Sequence, residues 1–377
     1  MITCNIPSTC DKIKNYMCIS CKEDGMKITV GIIALNEIKY LPALLEDVRR
    51  QTYPHDKIEV VLADSGSQDG TKECMREFKK LYEGEFAGVQ VLENTGGFQS
   101  TGWNEIICRF TTDALIRVDA HSHIPPEFVE KNVENFESGE MVSGGRRPTL
   151  TEEEGGFGDT LLLAEESLFG SSIASSRRKE EKAYVKSFFH GAYRREVLEK
   201  TGGFREDLGR TEDNEFHYRV RENGYRFAMS PDIVSYQYIR PTLSKMCRQK
   251  FGNGYWVGLT LGVCPGCLSL YHLVPAAFVA GIAVTTLLWV FHFPWLAWIM
   301  WGLYGILAVT MTVLSIRSKG WKATHLLLPF LFLLLHVSYG LGTWKGLICM
   351  PFFRRHHKEC PSVERVKECL ANERTNA

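Results

Sequence analysis

The stretch IRVDAHSHIPPEF, residues 116–128, places an acidic side chain and two imidazoles at the end of an apolar run. Asp119 closes the run, His121 and His123 follow at alternate positions, and two prolines then divert the chain. Residues two apart in an extended segment lie on one face, so a carboxylate and an imidazole here could hold a divalent cation. The alternative is an ordinary strand end followed by a turn with solvated histidines. The neighbouring elements bear on this choice.

The segments before this stretch predict a parallel sheet. The apolar run ITVGIIAL is followed by Asn36, and the run KIEVVLAD ends in Asp64 before a helix opens near residue 71. A third strand–helix pair leads to ALIRVDAHS. Alternating strands and helices indicate a Rossmann-like sheet that binds its ligand at the carboxyl ends of the strands. Asn36, Asp64 and Asp119 all fall at such ends, which favours binding chemistry over a plain turn.

A second acidic cluster lies in TEDNEFHYRVRE, where Glu212, Asp213 and Glu215 crowd the predicted start of a helix. Acidic residues in a first turn suit the helix dipole, and this alone is a common cause of such clusters. Three carboxylates within four residues also repel one another, which can raise the pKa of one of them enough to make a base. The residues by themselves leave both interpretations open.

Charge is distributed unevenly along the 377 residues. Lys plus Arg and Asp plus Glu are equal at 44 each, so no net field attracts nucleic acid. Residues 268–293 and 294–316 contain no Asp, Glu, Lys or Arg, and each run is long enough to cross a bilayer core of ~30 Å as a helix. The basic loop that follows predicts a cytoplasmic position for the first 250 residues. A third apolar stretch, residues 325–353, is either another span or a buried segment followed by an interfacial helix.

Six motifs, taken in their order and spacing, identify a resemblance. The chain resembles family 2 glycosyltransferases of the GT-A fold, and most closely the membrane-associated bacterial enzymes of the succinoglycan type. The motifs are a strand followed by Asn36 and Glu37, DSGSQDGT at 64–71, RVDAH at 117–121, HGAYRREV at 190–197, TEDNE at 211–215 and RQKFGNGYW at 248–256.

The resemblance implies an α/β GT-A catalytic domain with a mainly parallel sheet, followed by a C-terminal α-helical membrane region. The expected divisions are a polar tail over 1–26, the GT-A domain over 27–256, two or three hydrophobic helices within 257–353, and a basic, polar tail over 354–377.

Residue roles also follow from the resemblance. Asp213 is expected to be the catalytic base, and Asp119 and His121 are expected to hold Mn²⁺ or Mg²⁺. Nucleotide binding is expected from Asn36, Glu37, Asp64 and Asp119. An acceptor or lid role is expected for Glu212, His190, Gln249 and Trp256. Two positions depart from the family pattern, since His121 replaces the second aspartate of the metal motif and Tyr255 replaces an arginine.

The implied activity is that of an inverting hexosyltransferase in bacterial polysaccharide biosynthesis. It would move a sugar from a nucleotide-diphosphate sugar, expected to be a UDP-sugar, to a membrane-held, polyprenyl-linked glycan acceptor. The expected location is the bacterial inner membrane, multi-pass, with the catalytic domain in the cytoplasm. Two alternatives remain, namely a processive polysaccharide synthase, which needs more spans for its channel, and a non-enzymatic sugar-nucleotide-binding scaffold, for which Asp119 and Asp213 would be dispensable.

Overall fold

The structure, a computed structural model, describes residues 25–151, 156–170, 180–239, 242–357 and 360–376. Nearly all of the predicted N-terminal tail lies outside the described residues. The strands are β1 (Ile28–Ala34), β2 (Ile58–Asp64), β3 (Gly88–Glu93), β4 (Ala114–Asp119), β5 (Ser122–His123), β6 (Val142–Arg146), β7 (Thr149–Leu150), β8 (Ala183–Val185), β9 (Ala192–Arg194), β10 (Phe227–Val234) and β11 (Tyr236–Tyr238). The catalytic-domain helices are α1 (Leu41–Arg49), α2 (Thr71–Tyr82), α3 (Gln99–Ile107), α4 (Phe128–Glu137), α5 (Gly156–Glu166), α6 (Arg195–Thr201) and α7 (Glu212–Glu222). The later helices are α8 (Leu243–Thr260), α9 (Val274–Val290), α10 (Trp295–Lys319), α11 (Leu328–His356) and α12 (Pro361–Asn376).

The main sheet runs in the order β3-β2-β1-β4-β9-β6-β10-β8. Strands β3, β2, β1 and β4 are mutually parallel, and β6 is parallel to β10. Strands β9 and β8 pair antiparallel to their neighbours. The predicted mainly parallel α/β sheet is therefore confirmed, with antiparallel strands added in its second half.

Alternating side chains of the central strands build a core on each face of this sheet. Ile28, Val30 and Ile32 of β1 pack with apolar residues of α1, α2 and α4. Val61 and Ala63 of β2 point the other way and pack with residues of α3, α6, α7 and α12. Burial on both faces explains why these strands read as continuous apolar runs.

A smaller sheet, ordered β5-β11-β7, lies where the chain leaves β4. Strand β5 follows Asp119 after only two residues and pairs antiparallel with β11, so that His123 faces Tyr236. Strand β7 pairs parallel with β11 on its other side. This arrangement brings residues near 237 next to the DAHSH segment, a proximity that the sequence did not reveal.

Among the described residues, the C-terminal part contains three helical segments long and apolar enough to cross a membrane, Leu270–Val290, Trp295–Arg317 and Ala323–His356. The residues after them differ from expectation. Instead of a polar tail over 354–377, the chain forms α12, which packs back onto the catalytic domain and buries Val366 and Leu370 in the core. The two apolar side chains lie four residues apart among charged ones, so they form one narrow stripe that is easily missed in a polar segment.

Candidate active site

The carboxyl ends of β1, β2 and β4 meet at one edge of the sheet. The ladder pairs Ala34 of β1 with Asp64 of β2, and Ile33 of β1 with Asp119 of β4. Neighbouring strands are about 4.8 Å apart, so the backbones of the two aspartates lie within roughly 10 Å of each other. The structure thus brings together the strand-end residues that the sequence singled out.

The loops after β1 and β2 are joined by side chains. Asn36 adopts a left-handed conformation with φ 55°, which asparagine tolerates better than most residues. Its backbone N–H donates to Ser67 Oγ at 2.9 Å, and its Oδ1 accepts from Gln68 N at 2.8 Å. The buried carboxylate of Asp64 accepts from Gly66 N at 3.2 Å and organises the same turn. These contacts preorganise the edge, and the donor-binding roles of Asn36 and Asp64 stay predictions.

Two residues distant in sequence hold the His121 ring. Gln237 Nε2, on β11, donates to His121 Nε2 at 2.7 Å. The other ring nitrogen, Nδ1, lies 3.4 Å from Glu37 Oε1 in the loop after β1. Glu37, expected to bind the donor, therefore faces the expected metal ligand. Gln237 was not predicted, because it carries no motif and reaches the site only through the pairing of β11 with β5.

Asp119 is buried at the end of β4. Burial raises the pKa of Asp119, opposed by the charges of His121 and Arg117. Its Oδ1 accepts from Gln99 Nε2 at 3.3 Å. A bound cation would add to these positive charges and further offset the cost of burying the carboxylate.

His190 lies beneath this strand end rather than on an open face. Its Nε2 accepts from the backbone N–H of Asp119 at 3.3 Å, and its Nδ1–H donates to Ser235 Oγ at 2.7 Å. Burial lowers the pKa of His190 well below 6.5, which keeps the ring neutral. In this position it orients Asp119, and its expected acceptor or lid role stays a prediction.

The donor set at this edge fits a divalent cation. No group of three or more His, Cys, Asp or Glu side chains converges as a metal cage within the described residues. Asp119 offers a hard oxygen, His121 a borderline nitrogen, and Glu37 a second carboxylate beside that nitrogen. Mg²⁺ commonly takes one or two protein carboxylates and completes its shell with substrate phosphates, and an imidazole shifts the preference toward Mn²⁺.

The expected base, Asp213, forms an ion pair with a buried arginine. Arg117 Nη1 donates to Asp213 Oδ1 at 2.9 Å, and the guanidinium lies 4.5 Å from the ring centroids of both Trp103 and Phe204. Arg117 and Asp119 are two residues apart on β4 and share one face of the strand. This pair therefore brings Asp213 to the Asp119 side of the sheet. Arg117 was not predicted, and its signal in the sequence is a charged residue within an otherwise apolar strand.

The three acidic residues at the start of α7 have three different environments. Glu215 forms an ion pair with Arg219, with its Oε2 2.8 Å from Nη2, and so has a structural partner. Glu212 is buried, and burial followed by the neighbouring charge of Asp213 raises the pKa of Glu212 to about 8. Its Oε2 has no hydrogen-bond partner among the described residues. Asp213 alone is both ion-paired and partly open to solvent.

The remaining expected residues lie on α8, which supports the loop before α7. Trp256 packs so closely on Gly209 that an added side-chain carbon there would lie 2.5 Å from the indole ring. Thr260 Oγ1 is 2.5 Å from Thr211 Oγ1 at the start of α7. Gln249 lies about two turns earlier on α8 and is partly exposed. An acceptor role for Gln249 and Trp256 stays a prediction.

Comparison with known proteins agrees with this geometry. Residues 29–202 match the family described as Glycosyl transferase family 2. The chain carries a family 2 glycosyltransferase domain. It is 29% identical over 230 residues to the succinoglycan biosynthesis protein ExoA of Rhizobium meliloti (strain 1021), covering 60% of this chain and 67% of that protein. The expectation that the chain is a family 2 glycosyltransferase is confirmed.

A longer alignment relates the family 2 domain and the C-terminal helices to an archaeal enzyme. The chain is 24% identical over 331 residues to the dolichyl N-acetyl-alpha-D-glucosaminyl phosphate 3-beta-D-2,3-diacetamido-2,3-dideoxy-beta-D-glucuronosyltransferase of Methanococcus voltae, covering 85% of this chain and 97% of that protein. Among solved structures, it is similar to the mannosyltransferase PcManGT from Pyrobaculum calidifontis, with a TM-score of 0.50, 19% identity, and coverage of 89% and 88% of the two chains. This likeness supports the GT-A fold.

Proposed function

We propose that this family 2 glycosyltransferase moves a sugar, with inversion, from a nucleoside-diphosphate sugar to a polyprenyl-linked glycan acceptor. The observation that carries this proposal is the contact of Arg117 with Asp213 at 2.9 Å. It brings a partly exposed carboxylate to the side of the sheet edge where Asp119 and His121 would hold the donor. A base and a donor site on one face are what a direct displacement at the anomeric carbon requires.

In this mechanism the side chains have separate tasks. Asp213 takes the proton of the attacking acceptor hydroxyl, while Arg117 keeps its carboxylate oriented. Asp119 and His121 would hold Mn²⁺ or Mg²⁺, which neutralises the diphosphate leaving group when bound. Glu212, protonated at neutral pH, adds no second negative charge beside the base. One displacement, with no enzyme nucleophile, inverts the anomeric configuration.

The acceptor class is inferred from the relatives and from the apolar helices. The Methanococcus voltae relative is named for a dolichyl-linked phosphate. A second relative, from Aeromonas hydrophila, 33% identical over 127 residues and covering 36% of that protein, is named an undecaprenyl-phosphate transferase. A polyprenyl chain resides in the bilayer, and this protein places three apolar helical segments after its catalytic domain. We infer that this is a multi-pass protein of a prokaryotic membrane and that its catalytic domain lies in the cytoplasm. The motif resemblance favours a bacterial membrane.

The motif resemblance and the similar solved structure point to different donor nucleotides. The motif resemblance implies a UDP-sugar, whereas the PcManGT structure contains GDP-Man and Mn²⁺. The test is to incubate purified full-length protein with UDP- and GDP-sugars, Mn²⁺ or Mg²⁺, and undecaprenyl- or dolichyl-phosphate-linked acceptors, and to measure nucleoside-diphosphate release. We expect release that depends on one donor, on the cation and on the acceptor, and that is lost in Asp213→Asn.

The product separates the proposal from its alternatives. A single added sugar per acceptor supports the transferase, and a ladder of products would instead indicate a processive synthase. Donor binding without turnover across the whole panel would favour the non-enzymatic scaffold.

A further inference from the structure

The third apolar segment, Ala323–His356, has the length and hydropathy of a membrane span, as do the two before it. It differs from them in burial, because its apolar window is 39% buried against 6% and 11%. We propose that α11 does not cross the bilayer but lies in the plane of its surface beside α8, so that, of the three apolar segments in the described residues, only those of α9 and α10 span it. This inference rests on the membrane location proposed above.

Both ends of α11 are attached to the catalytic domain. Just before its first turn, Thr324 Oγ1 lies 2.9 Å from Thr160 Oγ1 on α5, and Lys322 forms an ion pair with Asp159. Just after its last turn, the His357 carbonyl accepts from Arg205 Nη2 at 2.9 Å, ahead of α7. A helix of 29 residues is about 43 Å long, which exceeds the ~30 Å hydrocarbon core. A helix crossing that core could not have both ends on a domain that lies on one side.

Helix α8, which packs against α11, also contacts the catalytic domain at both of its ends. Helix α8 begins beside α5, where Met246 packs with Leu161 and Leu328, and ends where Thr260 meets Thr211 at the start of α7. The two helices run parallel in direct backbone contact. A side-chain carbon at Gly254 would lie 2.0 Å from the Tyr339 carbonyl oxygen, and one at Gly262 would lie 2.8 Å from the Met350 side chain. Helices α8 and α11 therefore form a closely packed parallel pair that lies along the catalytic domain.

The outer face of α11 suits a lipid surface. The residues that face the protein are buried, among them Leu328, Leu331, Phe332, Leu335, Gly342 and Gly346. Those on the outer face recur at helical spacing and are exposed: Phe330, Leu341, Trp344, Ile348 and Phe352. An apolar stripe on the side away from the protein can be buried in the headgroup and acyl boundary of one leaflet.

Charge supports the same arrangement independently. Arg354 and Arg355 are exposed at the end of α11. Three spans would place them on the side opposite the basic loop after α10, against the positive-inside rule, whereas two spans place both clusters on one side. The spanning hairpin is itself suited to lipid, since α9 buries only Ala276 and Thr285 among its 17 residues.

The first test compares the two termini of the full-length protein. Epitope tags are added before Met1 and after Ala377, and spheroplasts are treated with protease before and after permeabilisation. Two spans place both tags on the same side, so we expect both to be cut only after permeabilisation. Tags on opposite sides would overturn the proposal. Both tags exposed in intact spheroplasts would leave the two-span count standing and contradict the cytoplasmic orientation in the proposed function.

The second test examines the hairpin tip. Phe293→Cys lies between α9 and α10, and Trp321→Cys lies between α10 and α11, both at exposed positions. With a membrane-impermeant maleimide on spheroplasts, and wild type as background, we expect Phe293→Cys to react and Trp321→Cys to react only after permeabilisation. Labelling of both positions only after permeabilisation would show that the hairpin does not cross, and would overturn the proposal.

The third test places a charge at the centre of each helix. Leu341→Arg and Ile306→Arg both substitute exposed apolar residues near the middle of α11 and α10. An arginine at the bilayer centre opposes insertion, whereas one at the interface reaches the headgroups. We expect Ile306→Arg to lose most carbonate-resistant membrane protein and Leu341→Arg to keep the wild-type level. An equal loss in both variants would show that α11 is immersed in hydrocarbon.

Discussion

The guanidinium of Arg117 and the carboxylate of Asp213 form an ion pair at 2.9 Å between residues 96 positions apart. The Arg117 side chain is 3% exposed and that of Asp213 is 27% exposed. The cation is thus fixed in the core, while part of the anion remains open to a substrate. This pair joins the strand that carries the expected metal motif to the helix that carries the expected base.

Two substitutions of Asp213 distinguish its role as the catalytic base from its role as the ion-pair partner of Arg117. Asp213→Asn keeps an oxygen that accepts from Arg117 but removes the base, so we expect transfer to fall by at least about 100-fold with near-normal donor binding and Tm. Asp213→Ala should lose transfer and also lower the Tm, because it leaves a buried cation without a partner. Turnover assays, nucleotide titration and thermal unfolding measure these effects. An active Asp213→Asn enzyme would place the base elsewhere.

The metal-ligand prediction for His121 has a matched control two residues away. His121→Ala should weaken the affinity for Mn²⁺, so that activity recovers partly at high cation concentration. His121→Asp should keep activity and shift the preference toward Mg²⁺, because a hard oxygen replaces a nitrogen. His123→Ala should leave the metal dependence unchanged, since its ring pairs with Asp47 at 2.5 Å. Activity and calorimetric titrations with both cations measure this. Loss of metal dependence in His123→Ala alone would reassign the ligand.

The buried Glu212 should make stability depend on pH. Its folded-state pKa of about 8 lies above the ordinary value of 4.5, so it costs the protein stability as pH rises between these values. Glu212→Gln removes the titration, and its Tm advantage over wild type should be absent at pH 5 and largest at pH 8. The cost is at most about 1.4 kcal/mol per pH unit. The exposed Glu364→Gln should show no such trend, and a pH-independent gap for Glu212→Gln would contradict the burial effect.

The close contact of α8 and α11 predicts that a glycine-to-alanine substitution lowers stability at this contact but not at an open position in α10. An added side-chain carbon at Gly346 would lie 2.1 Å from the Tyr255 carbonyl oxygen, whereas nothing lies within 4 Å of one at Gly305 in α10. Gly346→Ala should destabilise by roughly 1–3 kcal/mol through overpacking. Gly305→Ala should be neutral or mildly stabilising, because alanine favours a helix. Thermal unfolding in detergent compares them, and equal Tm values would show that the two helices separate readily.

Features that are local to one strand or helix could be predicted from the sequence alone. A buried parallel strand requires a continuous apolar run, and its end requires polar residues. The first four long strands along the chain and the positions of Asp64 and Asp119 could therefore be predicted. The charge-free runs of α9 and α10 were equally clear, because lipid requires an uninterrupted apolar segment. Motif order then indicated the family.

Contacts between residues distant in sequence could not be predicted, because they form only when the elements pack together. Arg117 reaches Asp213, and His121 reaches Glu37 and Gln237, only because β4, β11 and α7 converge at one edge of the two sheets. Strand pairing and helix docking depend on side-chain packing between segments about 100 residues apart, which no local pattern records. The same reason applies to α11, whose composition matches a span while contacts at its two ends hold it to the catalytic domain.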